Sequence, residues 1–378
     1  MTRAPHARAL VLAAALALGC AQRAPTPLVH LKASAVEAFA RALEADADDA
    51  TRLSRHFDWE SMAERTAPPG LSPAERDGFL EGVRGSLGSD GSGLLPALAA
   101  GRFSFRGVVW RDGAPTARFR FLPPEGGFNF HDLVIARRAD GPPRVVDLFV
   151  LTSSEYLTES MRRMSAFLLG RGSSLAARLL GGGGASAEEI EQVARFNALS
   201  NGDDPEAALA AHDALPPALR RQRAVRLLRV QVASRLEDTS RYLAILNETA
   251  VNMPNDPALS TMMLDAHFLA GDFAGCLRDL DAIRASYQDP YLDAFEGRIH
   301  VAAGEHARAL EVAERVIAVE PGLIDGHDVA LLAALGLGRA ERARAALDVL
   351  ERDHGVDPRV LATMAGYEAI GDLPAAAD

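Results

Sequence analysis

The residues best suited to chemistry gather near the middle of the N-terminal half of this 378-residue chain. They are a histidine, three carboxylates and a phenol: His131, Asp132, Asp147, Glu155 and Tyr156. A carboxylate on a half-buried strand loses hydration, which raises its pKa and lets it act as a general base. Proton transfer is therefore the reaction that this set would support. We favour a simpler interpretation, in which Asp147 forms an ion pair with Arg118 or Arg120 across a sheet.

Other kinds of catalysis have no motif in the sequence. The zinc-protease helix motif, the nucleophile elbow, the phosphate loop and the dinucleotide fingerprint do not occur. None of the ten histidines forms a pair at metal-ligand spacing with an acid nearby. His267 and His300 lie 33 residues apart and could form a ladder toward a groove, although packed positions are the favoured interpretation. We therefore expect no catalytic residue, no metal and no cofactor, in a protein that is not an enzyme.

The elements that position the first set are predicted strands and helices. Alternating, β-branched and aromatic residues predict four strands, at 102–106, 117–121, 128–136 and 144–150. Turn signals such as Asp112-Gly113 separate them. Apolar residues at helical spacing predict helices on either side, at 31–43, 57–66, 72–87 and 155–169. The pattern indicates an α+β domain whose antiparallel meander buries one face under the preceding helices.

This order of elements resembles the cone-shaped nuclear-transport-factor-like and cystatin-like folds over roughly 28–163. In enzymes of the former fold, polar residues inside the cone move protons on small apolar substrates. The resemblance implies an alternative function, in which the N-terminal domain binds or acts on a small apolar molecule or lipid. An apolar cavity holding Asp147 or His131 would support that alternative. Filling of the cavity by phenylalanines would exclude it, the relevant residues being Phe103, Phe105, Phe119 and Phe121.

The second half of the chain is an internal repeat. A glycine followed by a polar residue recurs at intervals of 33, 34 and 33, at Gly271-Asp272, Gly304-Glu305, Gly338-Arg339 and Gly371-Asp372. A small residue follows each glycine by five positions: Cys276, Ala309, Ala343 and Ala376. Such a period predicts helical hairpins stacked on one another. Cys276 is then expected to be a packed core residue and not a reactive thiol.

These repeats resemble the tetratricopeptide repeat family over about 186–378. Six residues of one unit fit the family pattern: Gly297, Gly304, Ala309, Ala313, Val316 and Pro321. Arg226 and Arg229 depart from it, because the family prefers large apolar residues there. The resemblance implies an all-α superhelix whose first helices line a groove for a peptide or a partner's helix. By register, the groove residues are Thr261, Asp265, Phe268, Ala294, Arg298, Val301, Asp328 and Leu335.

The first twenty residues have the features of a targeting segment. Basic residues precede an apolar run of ten residues, Ala9 to Leu18, which suits a signal peptide and is too short to span a bilayer. The following Gly19-Cys20 resembles the bacterial lipoprotein cleavage box. The resemblance implies that Cys20 becomes the lipidated first residue of a protein retained at the outer rather than the inner membrane. The alternative is an ordinary secretory signal with an incidental cysteine.

Charge is unevenly distributed along the chain. Residues 28–165 carry 17 basic and 19 acidic side chains, whereas residues from 185 onward carry 18 and 32. Removal of Arg3 and Arg8 with the signal peptide leaves 38 basic and 51 acidic residues, a net charge of −13. An acidic repeat region repels phosphate backbones, so nucleic acid is not expected as a partner. A basic or neutral protein or peptide, bound in a salt-sensitive manner, is expected instead.

Together the patterns predict five segments along the chain. They are a signal peptide at 1–19, a tether at 20–27, the α+β meander domain at 28–169, a Gly-rich linker at 170–185 and tetratricopeptide-like repeats at 186–378. The expected function is that of a lipid-anchored scaffold on the periplasmic face of the cell envelope, which binds proteins through its repeats. A third possibility is a structural assembly factor that forms constitutive oligomers.

Overall fold

The computed structural model describes residues 27–67, 71–88, 94–124, 126–139, 141–162, 187–200, 202–253 and 256–355. These residues form two compact units. Unit 1 holds the described residues up to Val150 and from Glu155 to Glu191, and unit 2 holds Leu151–Ser154 and the residues from Gln192 onward. The predicted signal peptide, the Gly-rich linker and the repeat that contains Gly371 lie outside the described residues.

Unit 1 is built on an antiparallel sheet of six strands in the order β2-β3-β4-β5-β6, with β1 also paired to β4. The strands are β1 (Leu28–His30), β2 (Arg102–Arg111), β3 (Ala114–Leu122), β4 (Asn129–Arg138), β5 (Arg144–Val150) and β6 (Glu155–Tyr156). The predicted four-strand meander is confirmed as β2 to β5. One prediction is wrong at its start, because residues 155–156 pair with β5 as a strand and the helix begins only at Leu157.

A tight hairpin turn and a bulge shape the part of the sheet around Asp147. The β2–β3 hairpin turns through Asp112 and Gly113, both with positive φ (50° and 77°), as a two-residue hairpin turn requires. The β4–β5 pairing slips by one residue, because Val134 faces Asp147 whereas Ile135 faces Val145. Such a bulge reverses the alternation of side chains along the strand. Asp147 therefore lies on the opposite face from Val145, although simple alternation predicts that they share one.

The helices of unit 1 include α1 (Ala33–Ala45), α2 (Ala50–Ser54), α3 (Trp59–Thr66), α4 (Pro73–Gly88) and α5 (Leu94–Ala100), and a further helix begins at Leu157. Helix α1 packs on β2 and β3, α3 packs on β5, and α5 packs on β2. The core between helices and sheet is apolar, and its largest buried side chains include Phe119, Leu43 and Leu148. The predicted helices match α1, α3 and α4, whereas α2 and α5 were not predicted. The predicted burial of one sheet face under the helices is confirmed.

Unit 2 is helical. Its helices are α6 (Ala187–Ser200), which begins within the last residues of unit 1, α7 (Pro205–Asp213), α8 (Pro217–Arg220), α9 (Arg223–Ala233), α10 (Thr239–Asn252), α11 (Pro257–Ala270), α12 (Phe273–Arg284), α13 (Pro290–Ala302), α14 (His306–Val319), α15 (Ile324–Gly336) and α16 (Ala340–His354). The repeated glycines Gly271, Gly304 and Gly338 have φ of 70°, 75° and 67°. Glycine adopts this left-handed conformation without steric cost, so each one ends a helix and starts the turn to the next.

The helices of unit 2 pack as successive pairs. Helix α11 packs on α12, α13 on α14, and α15 on α16, and α15 also packs on both helices of the preceding pair. Gly297 permits the contact between α13 and α15, because a Cβ there would lie 2.6 Å from Cγ1 of Val329. The fully buried small residues Ala309, Ala313 and Ala343 let the helices approach closely. The expectation of helical hairpins that contact their neighbours is confirmed for this part of the chain.

Candidate functional site

The eight predicted groove residues lie on α11, α13 and α15, the first helices of three successive pairs. Thr261 and Ala294 are buried, so their side chains have no surface to offer a partner. Asp265 and Phe268 are exposed. The remaining four are partly buried: Arg298, Val301, Asp328 and Leu335. Six of the eight residues that were predicted from their position on first helices are therefore at least partly exposed.

Arg298 and Asp328 connect two first helices. The Nη2 atom of Arg298 on α13 donates to Oδ1 of Asp325 at 2.8 Å and to Oδ2 of Asp328 at 3.3 Å, both on α15. Burial raises the pKa of Asp328 even though Arg298 opposes the shift, and the two carboxylates raise the pKa of Arg298 against its own burial. The positive charge of Arg298 and the negative charges of Asp325 and Asp328 therefore stabilise one another between the two helices. This cluster stabilises the stacking of α13 on α15 and has little capacity left for a partner.

Asp265 on α11 is different. Its side chain is exposed, and its carboxylate makes no hydrogen bond or ion pair with any residue that the structure describes. The surrounding protein removes part of its hydration, which raises its pKa. A partly dehydrated carboxylate without a cation gains free energy when a basic group approaches it. Among the eight predicted groove residues, Asp265 is therefore the one whose carboxylate is best placed to pair with a cation.

Apolar surface adjoins this carboxylate. Phe268 and Leu269 are three and four residues beyond Asp265, so all three side chains lie on one side of the helix. Phe268 is 37% exposed and Leu269 is 67% exposed. The Phe268 ring lies 6.2 Å from that of Phe273 and 6.3 Å from that of Phe295 on α13. We call Asp265, Phe268 and Leu269 the α11 face. Leu269 was not among the predicted residues, although its i+4 spacing from Asp265 was readable in the sequence.

The two histidines of the possible ladder are engaged within their own hairpins. Nδ1 of His267 lies 2.6 Å from Oδ2 of Asp279, and Nδ1 of His300 lies 2.7 Å from Oε2 of Glu305. His300 is buried. The favoured interpretation of packed positions is therefore correct for His300, and a ladder facing a groove is not formed. Cys276 is also buried, and burial raises the pKa of its thiol to about 11, as expected of a core residue.

In unit 1 the chemical residues are divided between two structural clusters. Asp132 is fully buried and accepts hydrogen bonds from two arginines, at 2.6 Å from Nη2 of Arg111 and 2.7 Å from Nε of Arg118. Arg118 therefore pairs with Asp132, and Asp147 pairs with Arg65, so the predicted ion pair of Asp147 with Arg118 or Arg120 is wrong. His131 is buried between Phe103 and Phe121, with ring centroids at 5.7 Å from both. This burial lowers its pKa to about 4, so the imidazole is neutral at pH 7.

Asp147 is a structural carboxylate. Oδ2 accepts from the Thr158 hydroxyl at 2.6 Å and lies 3.6 Å from Nη1 of Arg65, while Oδ1 accepts from the backbone N–H groups of Leu148 and Thr158. Burial raises its pKa, and these hydrogen bonds oppose the rise. Its oxygens are occupied in holding the segment after β6 against β5. The geometry gives no support to a role as a general base.

A cavity of about 430 Å³ opens beside Asp147 in unit 1. Its charged lining is balanced in sign, with Arg65, Arg111 and Arg162 against Asp112, Asp147 and Glu159. Tyr156 also lines it and donates to Oδ2 of Asp112 at 2.5 Å, while burial raises the pKa of the phenol. The core between helices and sheet contains instead four phenylalanines whose rings contact one another, Phe103, Phe105, Phe119 and Phe121. These side chains occupy the space beneath the meander where the alternative function would need an apolar cavity.

Comparisons with family models, with curated proteins and with solved structures find no match to this chain. Within the described ranges, no group of three histidine, cysteine or acidic side chains is placed to hold a metal ion. Among the same residues, no helix combines the length and apolar character needed to cross a membrane.

Proposed function

We propose that this protein is a scaffold of the cell envelope that binds other proteins through its helical repeats. In this proposal, unit 2 is a tetratricopeptide-type superhelix and the α11 face is the centre of its binding surface. The chain would be anchored through a lipid on Cys20 at the periplasmic face of the outer membrane. The function is binding and not catalysis, and no cofactor takes part.

The single observation that carries the proposal is the α11 face itself. It presents a carboxylate without a cation, Asp265, beside two exposed apolar side chains, Phe268 and Leu269. An apolar anchor next to a charge is the combination that fixes a peptide in place and in orientation. The excess of acid over base after residue 185, 32 against 18, favours a basic or neutral partner segment.

The division of labour within unit 2 supports the same proposal. Arg298, Asp325 and Asp328 neutralise one another between α13 and α15 and hold these helices in register. Asp265 has no such counterpart on α13, where the buried Ala294 occupies the position that corresponds to Asp328. The charges between α13 and α15 are thus paired within the chain. The carboxylate of Asp265 on α11 is not paired in this way and is available to a cation of the partner.

Variants of the α11 face test the proposal. We expect Asp265→Asn and Phe268→Ala each to reduce, by about tenfold or more, the amount of partner that co-purifies from native envelopes after crosslinking. Val319→Ala is the matched control, because Val319 is 72% exposed but lies on α14, a second helix. Equal recovery of every partner by all three variants and the unmodified protein would refute the proposed surface.

A further inference from the structure

A run of arginines in unit 2 contrasts with its acidic surroundings. Five arginines occur within the ten residues from 220 to 229. Two of them, Arg226 and Arg229, occupy positions on α9 where the repeat pattern calls for large apolar side chains. Arg223 is neutralised by Asp256, which accepts from its Nε at 2.6 Å. The other four line a single cavity.

This cavity has a volume of about 230 Å³ and is lined by residues from α7 to α10 and the turns beside them. Its charged lining, apart from a histidine, comprises four arginines and two acids: Arg220, Arg221, Arg226, Arg229, Asp213 and Glu248. The lining thus carries two positive charges in excess, four minus two. Like charges gathered around a small volume repel one another unless an anion is present. We call this space the arginine cavity.

Contacts within the protein use only part of the donor capacity of these arginines. Nη1 of Arg229 donates to Glu248 at 2.9 Å, but its buried Nε has no acceptor. Nη1 of Arg226 donates to the carbonyl of Asn252 at 2.9 Å, which neutralises no charge. The guanidinium groups of Arg220 and Arg221 make no hydrogen bond or ion pair with any residue that the structure describes, and both side chains are exposed.

A buried histidine completes the lining. His212 is only 3% exposed, and its ring packs edge-on against Phe196 of α6. Nδ1 lies 3.0 Å from Oδ1 of Asp213, and Nε2 is buried and has no hydrogen-bond partner among the residues that the structure describes. A carboxylate only accepts hydrogen bonds, so Nδ1 carries the proton in the neutral ring and Nε2 becomes a donor only when the ring is protonated. A bound anion would favour that protonated form.

We propose that the arginine cavity binds a tetrahedral oxyanion, namely a phosphate group, either free or carried by a small molecule. Planar guanidinium groups donate paired hydrogen bonds that match phosphate oxygens. The excess of two positive charges suits a dianion, and protonated His212 would add one further donor from the buried wall. The site is separate from the α11 face, and its existence does not depend on the scaffold function.

Titration calorimetry on the mature chain tests this site, with sulfate as the first probe because sulfate does not titrate near neutral pH. We expect the double variant Arg220→Gln/Arg221→Gln to bind sulfate at least about tenfold more weakly than the unmodified protein. Both side chains are exposed and without partners, so the fold should be retained. The matched control is Arg278→Gln, because Arg278 is 70% exposed and lies on α12, outside the cavity.

The remaining arms identify the source of the phosphate group. Tighter binding of glycerol phosphate than of inorganic phosphate would indicate a carried group, and the reverse order would indicate the free ion. Either order supports the site if the double variant loses the binding. Absence of anion binding by the unmodified protein, or equal binding by the double variant, would overturn the proposal.

Proton coupling provides a second readout. The charged groups facing His212 are Asp213 on its own helix, Arg220 on α8, Arg229 on α9 and Glu248 on α10. Burial is the main cause that lowers the pKa of His212, and the two arginines add to it. NMR titration of the His212 ring should show its pKa rise when sulfate is added, and sulfate affinity should increase as the pH falls. A pKa that does not move with sulfate would count against the site even if an ion binds elsewhere.

Discussion

The packing of α13 on α15 depends on a close contact at Gly297, and the methyl group of an alanine at that position should disrupt it. A Cβ at Gly297 would lie 2.6 Å from Cγ1 of Val329, well inside van der Waals distance. Val329 is fully buried on α15, and a β-branched side chain in a helix has essentially one rotamer. The Val329 side chain therefore cannot avoid the added methyl group by changing its rotamer. Gly297→Ala should force α13 and α15 apart.

The magnitude follows from two opposing effects. Alanine stabilises a helix interior by up to about 1 kcal/mol relative to glycine. Overpacking of a core costs about 1–3 kcal/mol, and a contact this short belongs at the upper end of that range. The net destabilisation of unit 2 should be about 2 kcal/mol. For a unit of this size, that corresponds to a fall in melting temperature of about 4–8 °C.

Two spectroscopic signals separate the units in this experiment. Both tryptophans of the chain, Trp59 and Trp110, lie in unit 1, whereas circular dichroism at 222 nm is dominated by the helices of unit 2. Gly297→Ala should shift the dichroism transition and leave the tryptophan fluorescence transition unchanged. Gly322→Ala is the matched control, since a Cβ there meets nothing within 4 Å. The packing argument is refuted if both variants unfold at the same temperature.

Three further predictions concern the remaining elements. The pKa of His131 is about 4 in the fold and about 6.5 in the unfolded chain, so the stability of unit 1 should fall by up to about 3 kcal/mol as the pH drops from 6.5 to 4. Tryptophan fluorescence should show this loss in the unmodified protein and not in His131→Phe. Asp132→Ala should destabilise unit 1 by about 3–5 kcal/mol in urea, because Arg111 and Arg118 lose a buried partner. Cys20→Ser should move the protein from the membrane fraction to the soluble fraction, and unchanged fractionation would contradict lipid anchoring.

Local signals were sufficient to predict most of the fold. The glycines at 271, 304 and 338 mark left-handed helix ends because few other residues adopt that backbone conformation at low cost. The alternation at 102–106 and 117–121 predicted strands, since every second side chain there packs against the helices. The short strands β1 and β6 escaped prediction, because three and two residues carry no period of their own and depend on their pairing partners.

The candidate sites were less predictable because long-range pairing determines them. The bulge beside Val134 places Asp147 near Thr158 and Arg65, and alternation along the strand gives no sign of it. Register placed the eight proposed groove residues on α11, α13 and α15. It did not reveal that Arg298 is neutralised across a helix interface while Asp265 is not, because that difference arises from the residues of the next pair.

The most direct test of the scaffold proposal is site-specific photocrosslinking in the native envelope. A photoreactive residue placed at Phe268 should crosslink to a discrete partner, and the yield should fall as salt increases, since the α11 face is acidic. The same residue placed at Val319, which is exposed on a second helix, should give no such product. Indistinguishable crosslinks from the two positions, or none from Phe268, would contradict the role of the α11 face in binding.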